Sequence, residues 1–319
     1  MIPRRITLAA VVLFSLSFTA GVYLILQSKI SQIDEDTTHR ISFGKSIIPD
    51  GNVAIVRVEG IISASARSSM IGREGSESIV DQLNEIGKKD HIKAIVLRIN
   101  SPGGSVASAQ EIYNEILKLK AKGKIIVASM SDVAASGGYY VASACDKIVA
   151  NPGTITGSIG VIMEVSNIQE LFKKIGVKFI AIKSGEFKDS GSPFRELTKK
   201  ERELFQSLID DAYNQFVDAI VKGRSMKRKD VLSIADGRVF TGRQAYKAGL
   251  VDELGGKEES ILVAAQMAGI PSEKINIYRY RDSFKYIFRF LDSALKRVDP
   301  ISQIAMDSRP KFKLQYILE

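Results

Sequence analysis

The chain has 319 residues, 45% hydrophobic and 25% charged, enough for one large domain or two modest ones with a sizeable core. Its net charge of +9 is dispersed, with short basic clusters at 118–124 and 222–229. No nucleic-acid recognition motif accompanies it, so no nucleic-acid partner is expected; anionic lipid nearby and solvated helix faces account for the charge. A single cysteine, Cys145, excludes an internal disulfide and a multi-cysteine metal site, and reads as a small buried thiol.

In chain order, residues 6–26 come first, an uncharged stretch of 21 residues preceded by Arg4 and Arg5 and followed by Asp34-Glu35-Asp36. At about 1.5 Å per residue it spans roughly 30 Å of hydrocarbon. The charge asymmetry leaves the N-terminus in the cytoplasm and sends the rest outside, as a single-pass protein of the cytoplasmic (inner) membrane. A cleaved signal peptide has a shorter apolar core ending in a small-x-small site, which Phe18-Thr19-Ala20 matches poorly, so an uncleaved anchor contacting lipid through residues 6–26 is expected. The expected organisation is a cytoplasmic N-terminus and transmembrane anchor over 1–27, a polar linker over 28–48, the main domain over 49–275 and a C-terminal helix and tail over 276–319.

Residues 52–59 alternate as a strand, and 78–86 place Ile79, Val80, Leu83 and Ile86 on one helical face. Residues 92–99 read as a buried strand ended by Asn100-Ser101-Pro102-Gly103-Gly104, and a helix follows from Ser105. A strand over 124–130 leads to Ser136 and a helix over 139–144. Then come a short strand (147–150), a turn (154–158), a helix (168–175) and a strand (177–182). This alternation predicts an α/β fold with parallel strands and covering helices. Thr198 and Glu201 have capping-box spacing at the start of a long helix whose stripe Leu204, Leu208, Ala212, Phe216, Ile220 reads as core or subunit contact. Residues 236–256 form a Gly-rich run of short elements, 283–298 an aromatic-rich helix, and 311–318 alternate in a way that suits strand addition to a neighbour.

Three Gly-containing loops follow predicted strands: 100–104, 134–138 and 154–160. In α/β sheets, sites gather at the carboxyl ends of strands. Gly103 and Gly104 open a helix and let backbone N–H groups approach an oxyanion, although a plain tight turn explains them equally. Ser136 stands at a strand-to-helix turn, as a nucleophile does, without the G-x-S-x-G pattern; a helix N-cap is the alternative. A serine hydroxyl needs a base, and histidine is scarce. His39 lies near the membrane, and His91 starts a strand, roughly 25 Å from the Gly103 loop at about 3.3 Å per residue. A Ser-His-Asp triad is therefore not expected. Lys188, in Gly185-Glu-Phe-Lys-Asp-Ser-Gly191, is a candidate base once desolvated, or an ordinary surface charge. Ser158 is either a turn residue or the group that holds the lysine amine.

Four of these motifs together carry a resemblance: Asn100-Ser-Pro-Gly-Gly104, Ala135-Ser-Gly-Gly-Tyr-Tyr140, Thr156-Gly-Ser-Ile-Gly160, and Gly185-x-x-Lys188-x-x-Gly191-Ser-Pro-Phe194. Asp236-Gly-Arg-Val-Phe-Thr-Gly242 and Gly249-Leu-Val-Asp252 continue it, so that residues 50–270 resemble, in order, the bacterial signal peptide peptidases of the SppA type. Ser-Pro-Gly-Gly alone also resembles Clp-type proteolytic subunits. The resemblance implies a Clp/crotonase-like core of parallel βα units behind the transmembrane helix. It implies Ser136 as nucleophile, Lys188 as general base, Ser158 orienting the lysine, Gly103 and Gly137 as oxyanion donors, and Gly104 and Gly160 in substrate binding. It further implies peptide substrates such as cleaved signal peptides, no metal or cofactor, and a homo-oligomeric ring in which a neighbour completes each site. A crotonase-like acyl-thioester enzyme, which needs the same core and backbone donors, and a non-catalytic envelope scaffold are the rival expectations.

Overall fold

The protein, a computed structural model, is described over residues 51–64, 75–279 and 315–317. The strands are β1 (Val53–Glu59), β2 (Ala94–Ser101), β3 (Gly103–Ser105), β4 (Ile125–Ala135), β5 (Lys147–Ala150), β6 (Ile155–Gly157), β7 (Val239–Thr241), β8 (Glu253–Leu254), β9 (Ile277–Arg279) and β10 (Gln315–Ile317). The helices are α1 (Ser76–Gly87), α2 (Val106–Ala121), α3 (Gly137–Ser143), α4 (Gln169–Lys174), α5 (Lys199–Arg224), α6 (Arg228–Leu232), α7 (Gly242–Lys247) and α8 (Lys257–Met267). The expected membrane segment (6–26), the linker and the helix over 283–298 lie outside the described residues. Among those described, no helix is long and apolar enough to cross a membrane.

Strands β9, β1, β2 and β4 run side by side, all parallel, and β4 then divides its free edge. Val127–Met130 pair with β5, which carries β8 beyond it, while Val133–Ala135 pair with β6. Strand β6 pairs antiparallel with β7. The fold is therefore mixed α/β with a mainly parallel sheet, as the alternating pattern predicts.

Both faces of the sheet are covered, which is why β2 reads as a nearly unbroken apolar run. Ile95, Leu97 and Ile99 face the larger core, with Leu83 and Ile86 of α1 and Ile112, Ile116 and Leu119 of α2. Their neighbours Ala94 and Val96, with Val53, Val127 and Val149, face Ile261, Ala264 and Ala265 of α8. The expected stripe of α5 divides in two: Ala212, Phe216 and Ile220 are buried, whereas Leu204 and Leu208 are exposed.

Four local readings change. The expected turn at 154–158 contains β6, and the Gly-Gly loop contains β3, because remote strands reach them. Residues 177–182, expected as a strand, form none; Ile182 is 100% exposed, and no strand pairs with the stretch among the described residues. Strand β10 falls within the stretch expected to join a neighbour, and it pairs antiparallel with β3 of its own chain.

Helix α5 holds the short buried helix α3 against the sheet. A Cβ added to Gly223 of α5 meets the Ser143 carbonyl oxygen of α3 at 1.9 Å. On an open helix face, Gly→Ala stabilises by up to about 1 kcal/mol. Here the overlap reverses the sign, and Gly223→Ala is expected to destabilise by about 1–3 kcal/mol. A lowered thermal midpoint in a melting curve supports this close approach; an increase refutes it.

Candidate active site

The carboxyl ends of β2 and β4 build one edge of the site. The Asn100 side chain accepts from Val133 N–H (3.2 Å) and donates to Asp132 (3.3 Å), tying the β2 loop to β4. The buried Ser101 hydroxyl donates to Gly60 O (2.6 Å) and accepts from Gly103 N–H (3.1 Å). Gly104 is a packing requirement as well as a donor candidate. Ile62 bridges to it, and a Cβ there would lie 2.0 Å from the Ile62 carbonyl oxygen. Ser101 lies within the 100–104 motif, but its bond to Gly60 and the approach of Ile62 to Gly104 join segments distant in the chain, which no local sequence signal carries.

Ser136 links β4 to α3 with φ 52° and ψ −117°, a conformation that side chains other than glycine rarely adopt. Its N–H donates to Gly157 O (2.8 Å) and its carbonyl accepts from Tyr140 N–H (2.8 Å), so the strained turn is fixed on both sides. The residue is 1% exposed, and its Oγ has no hydrogen-bond partner among the described residues. Ser136 occupies the N-cap position of α3, the alternative reading, but its side chain makes no cap bond. As the first residue of α3, Gly137 has no acceptor for its N–H within the helix.

The register Ala135↔Gly157 between β4 and β6 brings Ser158 to the level of Ser136. Ser158 is 8% exposed, has φ 48°, and is held by its N–H to Arg238 O (2.8 Å). Ser158 and Gly160 open into a cleft of about 500 Å³ whose far wall is Ile209, Tyr213 and Gly237. Ile317 of β10 sits in the same cleft, and Ile317, Tyr316 and Gln315 pair with Gly103, Gly104 and Ser105. An extended segment of this chain thus lies along the glycine loop beside Ser158.

Lys188 is at the surface. It is exposed, in a turn closed by its N–H to Gly185 O (3.2 Å), and its amine makes no hydrogen bond or ion pair among the described residues. Within one chain it does not hydrogen-bond to Ser136. The next residue, Asp189, is held by Arg195 through Nε and Nη2 (2.9 Å each), and by Lys183 (2.5 Å). The Arg195 fork, and then Lys183, keep the Asp189 carboxyl well below its usual range. Arg195 also lowers Glu201 to about 2 and is itself raised, Glu201 first among the causes and Asp189 second.

The readings of His91 and Cys145 hold. His91 is exposed just before β2, at the end of the sheet opposite Ser136. Cys145 is buried, and burial pushes its thiol far up, which keeps it protonated and unreactive. Among the described residues, no cluster of three or more His, Cys, Asp or Glu forms a metal site.

The sequence has counterparts in known proteins. The model of the family described as Peptidase family S49 matches residues 118–271, and that described as Clp protease matches 60–156. The protein named "Putative protease slr0021" from Synechocystis sp. is 42% identical over 230 residues, covering 72% of this chain and 79% of the relative. "Putative signal peptide peptidase SppA" from Enterococcus faecium is 35% identical over 233 residues, covering 72% and 66%. "Serine protease SPPA, chloroplastic" from Arabidopsis thaliana is 38% identical over 229 residues, covering 70% of this chain and 33% of the relative.

Proposed function

This chain belongs to peptidase family S49, and we propose that it is a membrane-anchored serine endopeptidase working through Ser136 and Lys188. The observation that carries this reading is the Ser136 turn: a strained, buried serine with an unpartnered hydroxyl at the carboxyl end of a parallel strand. Strain and a missing hydrogen bond both cost stability, and they persist at sites that use them.

In the proposed reaction, the neutral Lys188 amine takes the proton from Ser136 Oγ as Oγ bonds to a peptide carbonyl carbon. The carbonyl oxygen becomes an oxyanion that accepts from the N–H groups of Gly103 and Gly137. Gly103 N–H leaves its 3.1 Å bond to Ser101 to do so. The C–N bond then breaks, the lysine ammonium returns its proton to the leaving amine, and water hydrolyses the acyl-enzyme. Ser158 orients the lysine, and Gly104 and Gly160 line the path of the substrate backbone. The pairing of β10 with β3 supports an extended substrate lying antiparallel along residues 103–105. The substrate class is cleaved signal peptides and other membrane or envelope peptides. Residues 6–26 anchor the chain in the cytoplasmic membrane, N-terminus inside, with the peptidase domain outside the cytoplasm. The proposed chemistry uses no cofactor.

The lysine reaches the serine in a homo-oligomeric ring, where a neighbour completes the site. Three features of the single chain support this: the unpartnered Ser136 hydroxyl, the exposed Lys188, and exposed Leu204, Leu208, Ile175, Phe179 and Ile180. The test mixes Ser136→Ala and Lys188→Ala subunits, each inactive alone, after dissociation and reassembly. A dyad shared between subunits restores roughly a quarter of the native activity at equal mixing, by random pairing in a closed ring. A mixture that reassembles and stays inactive refutes sharing.

A further inference from the structure

The loop that carries Lys188 has little of its own to hold it. No residue from 161 to 190 is buried, and the segment's apolar packing is a half-exposed aromatic group in which Phe194 stacks on Phe179 (3.7 Å) and meets Phe172 edge-on (5.4 Å). A lysine presented from such a loop needs another source of order, because reaction rates fall steeply when a catalytic group strays by an ångström.

Arg195 supplies one. Its guanidinium grips Asp189 three times: Nε to Oδ2 and Nη2 to Oδ1 at 2.9 Å each, and Nη2 to the Asp189 carbonyl at 3.1 Å. The other side of the same plane grips Glu201, through Nη1 to Oε2 at 2.9 Å and Nη2 to Oε1. Glu201 is 2% exposed and is itself part of the capping box that starts α5, accepting from Thr198 N–H at 2.9 Å and from the Thr198 hydroxyl at 3.0 Å. Lys200 of α5 adds a bond to Glu186 (2.9 Å) on the other side of Lys188. Further along α5, Phe216 packs edge-on against Tyr140 of α3 at 5.3 Å, so the helix that receives the clamp also buttresses the serine's helix.

We propose that Arg195 is a positioning residue for Lys188, locking the lysine's loop to the first turn of α5 through Asp189 and Glu201. The proposal rests on the reading of Lys188 as the base. An exposed ion pair would carry little weight here, but this one is planar, bidentate at both carboxylates and partly buried, geometry that a lysine ammonium does not reproduce.

The test uses the full chain in its native assembly with an internally quenched peptide. Arg195→Gln is expected to lower kcat roughly 10- to 100-fold while KM changes less than about threefold, because a misplaced base slows chemistry more than binding. The second arm repeats the substitution in a Lys188→Ala background, with the residual rate raised by an added alkylamine. There Arg195→Gln is expected to change the rate less than about twofold, since the group it positions is gone. Asp189→Asn, which keeps the shape of the loop, is measured in both backgrounds and carries the comparison if Arg195→Gln does not fold. An unchanged kcat, or an equal loss in both backgrounds, overturns the proposal. Retained activity in Lys188→Ala alone overturns the base reading instead; a dead Lys188→Ala beside unaffected Arg195→Gln and Asp189→Asn overturns only the clamp.

Discussion

Ser136→Ala is expected to lower kcat/KM for peptide cleavage by at least about 10³-fold, the scale on which loss of a nucleophile acts. The protein should not become less stable. The Ser136 hydroxyl is buried with no hydrogen-bond partner among the described residues, so removing it leaves none of their donors or acceptors orphaned. Ser136→Gly extends the argument. It should be equally inactive yet more stable by about 1 kcal/mol, because glycine meets φ 52° without steric cost. Steady-state kinetics and thermal melts of the two variants decide the matter. Hydrolysis retained by Ser136→Ala shows that another group attacks the peptide carbonyl. Loss of stability in both variants would mean that the serine is there for structure.

Lys188→Ala is expected to cause a loss of similar size, about 10³-fold or more, with stability unchanged within about 0.5 kcal/mol. The second half follows from its surroundings: an exposed side chain whose amine has no hydrogen bond or ion pair among the described residues. Surface lysines of this kind are ordinarily neutral to substitution, so a large loss of activity here is informative. Lys188→Arg should fail as completely, because a guanidinium stays protonated and takes up no proton from a serine. Activity surviving in either variant shows that another group deprotonates Ser136.

Several elements were legible because their signals are local. Strands β1, β2 and β4 announce themselves by composition, α1 and α2 by helical spacing, and α5 by the Thr198–Glu201 box, which the structure reproduces on both sides. Helix α8 escaped, since Ile261 to Ala265 form a continuous apolar run without a helical period. Strand β9 is three residues long and exists because β1 offers an edge. The stretch 177–182 has the pattern of a strand and no partner, the converse case.

The same division runs through the site. By itself, the sequence determined the α/β alternation, the three glycine-bearing loops at strand ends, Ser136 as the candidate nucleophile and the shortage of histidine that turned attention to lysine. These depend on periodicity, turn chemistry and residue inventory, which neighbours in the chain carry. Only the tertiary structure decided that Ser136 adopts a left-handed turn fixed by Gly157, that Ser158 comes level with it through β6, that β10 lies along β3, and that Lys188 is exposed on a loop gripped through Arg195. Each of those facts is a pairing between surfaces or side chains that the fold brings together. No local propensity encodes such pairings; they arise when the packed sheet and α5 fix where strand edges and charged groups meet.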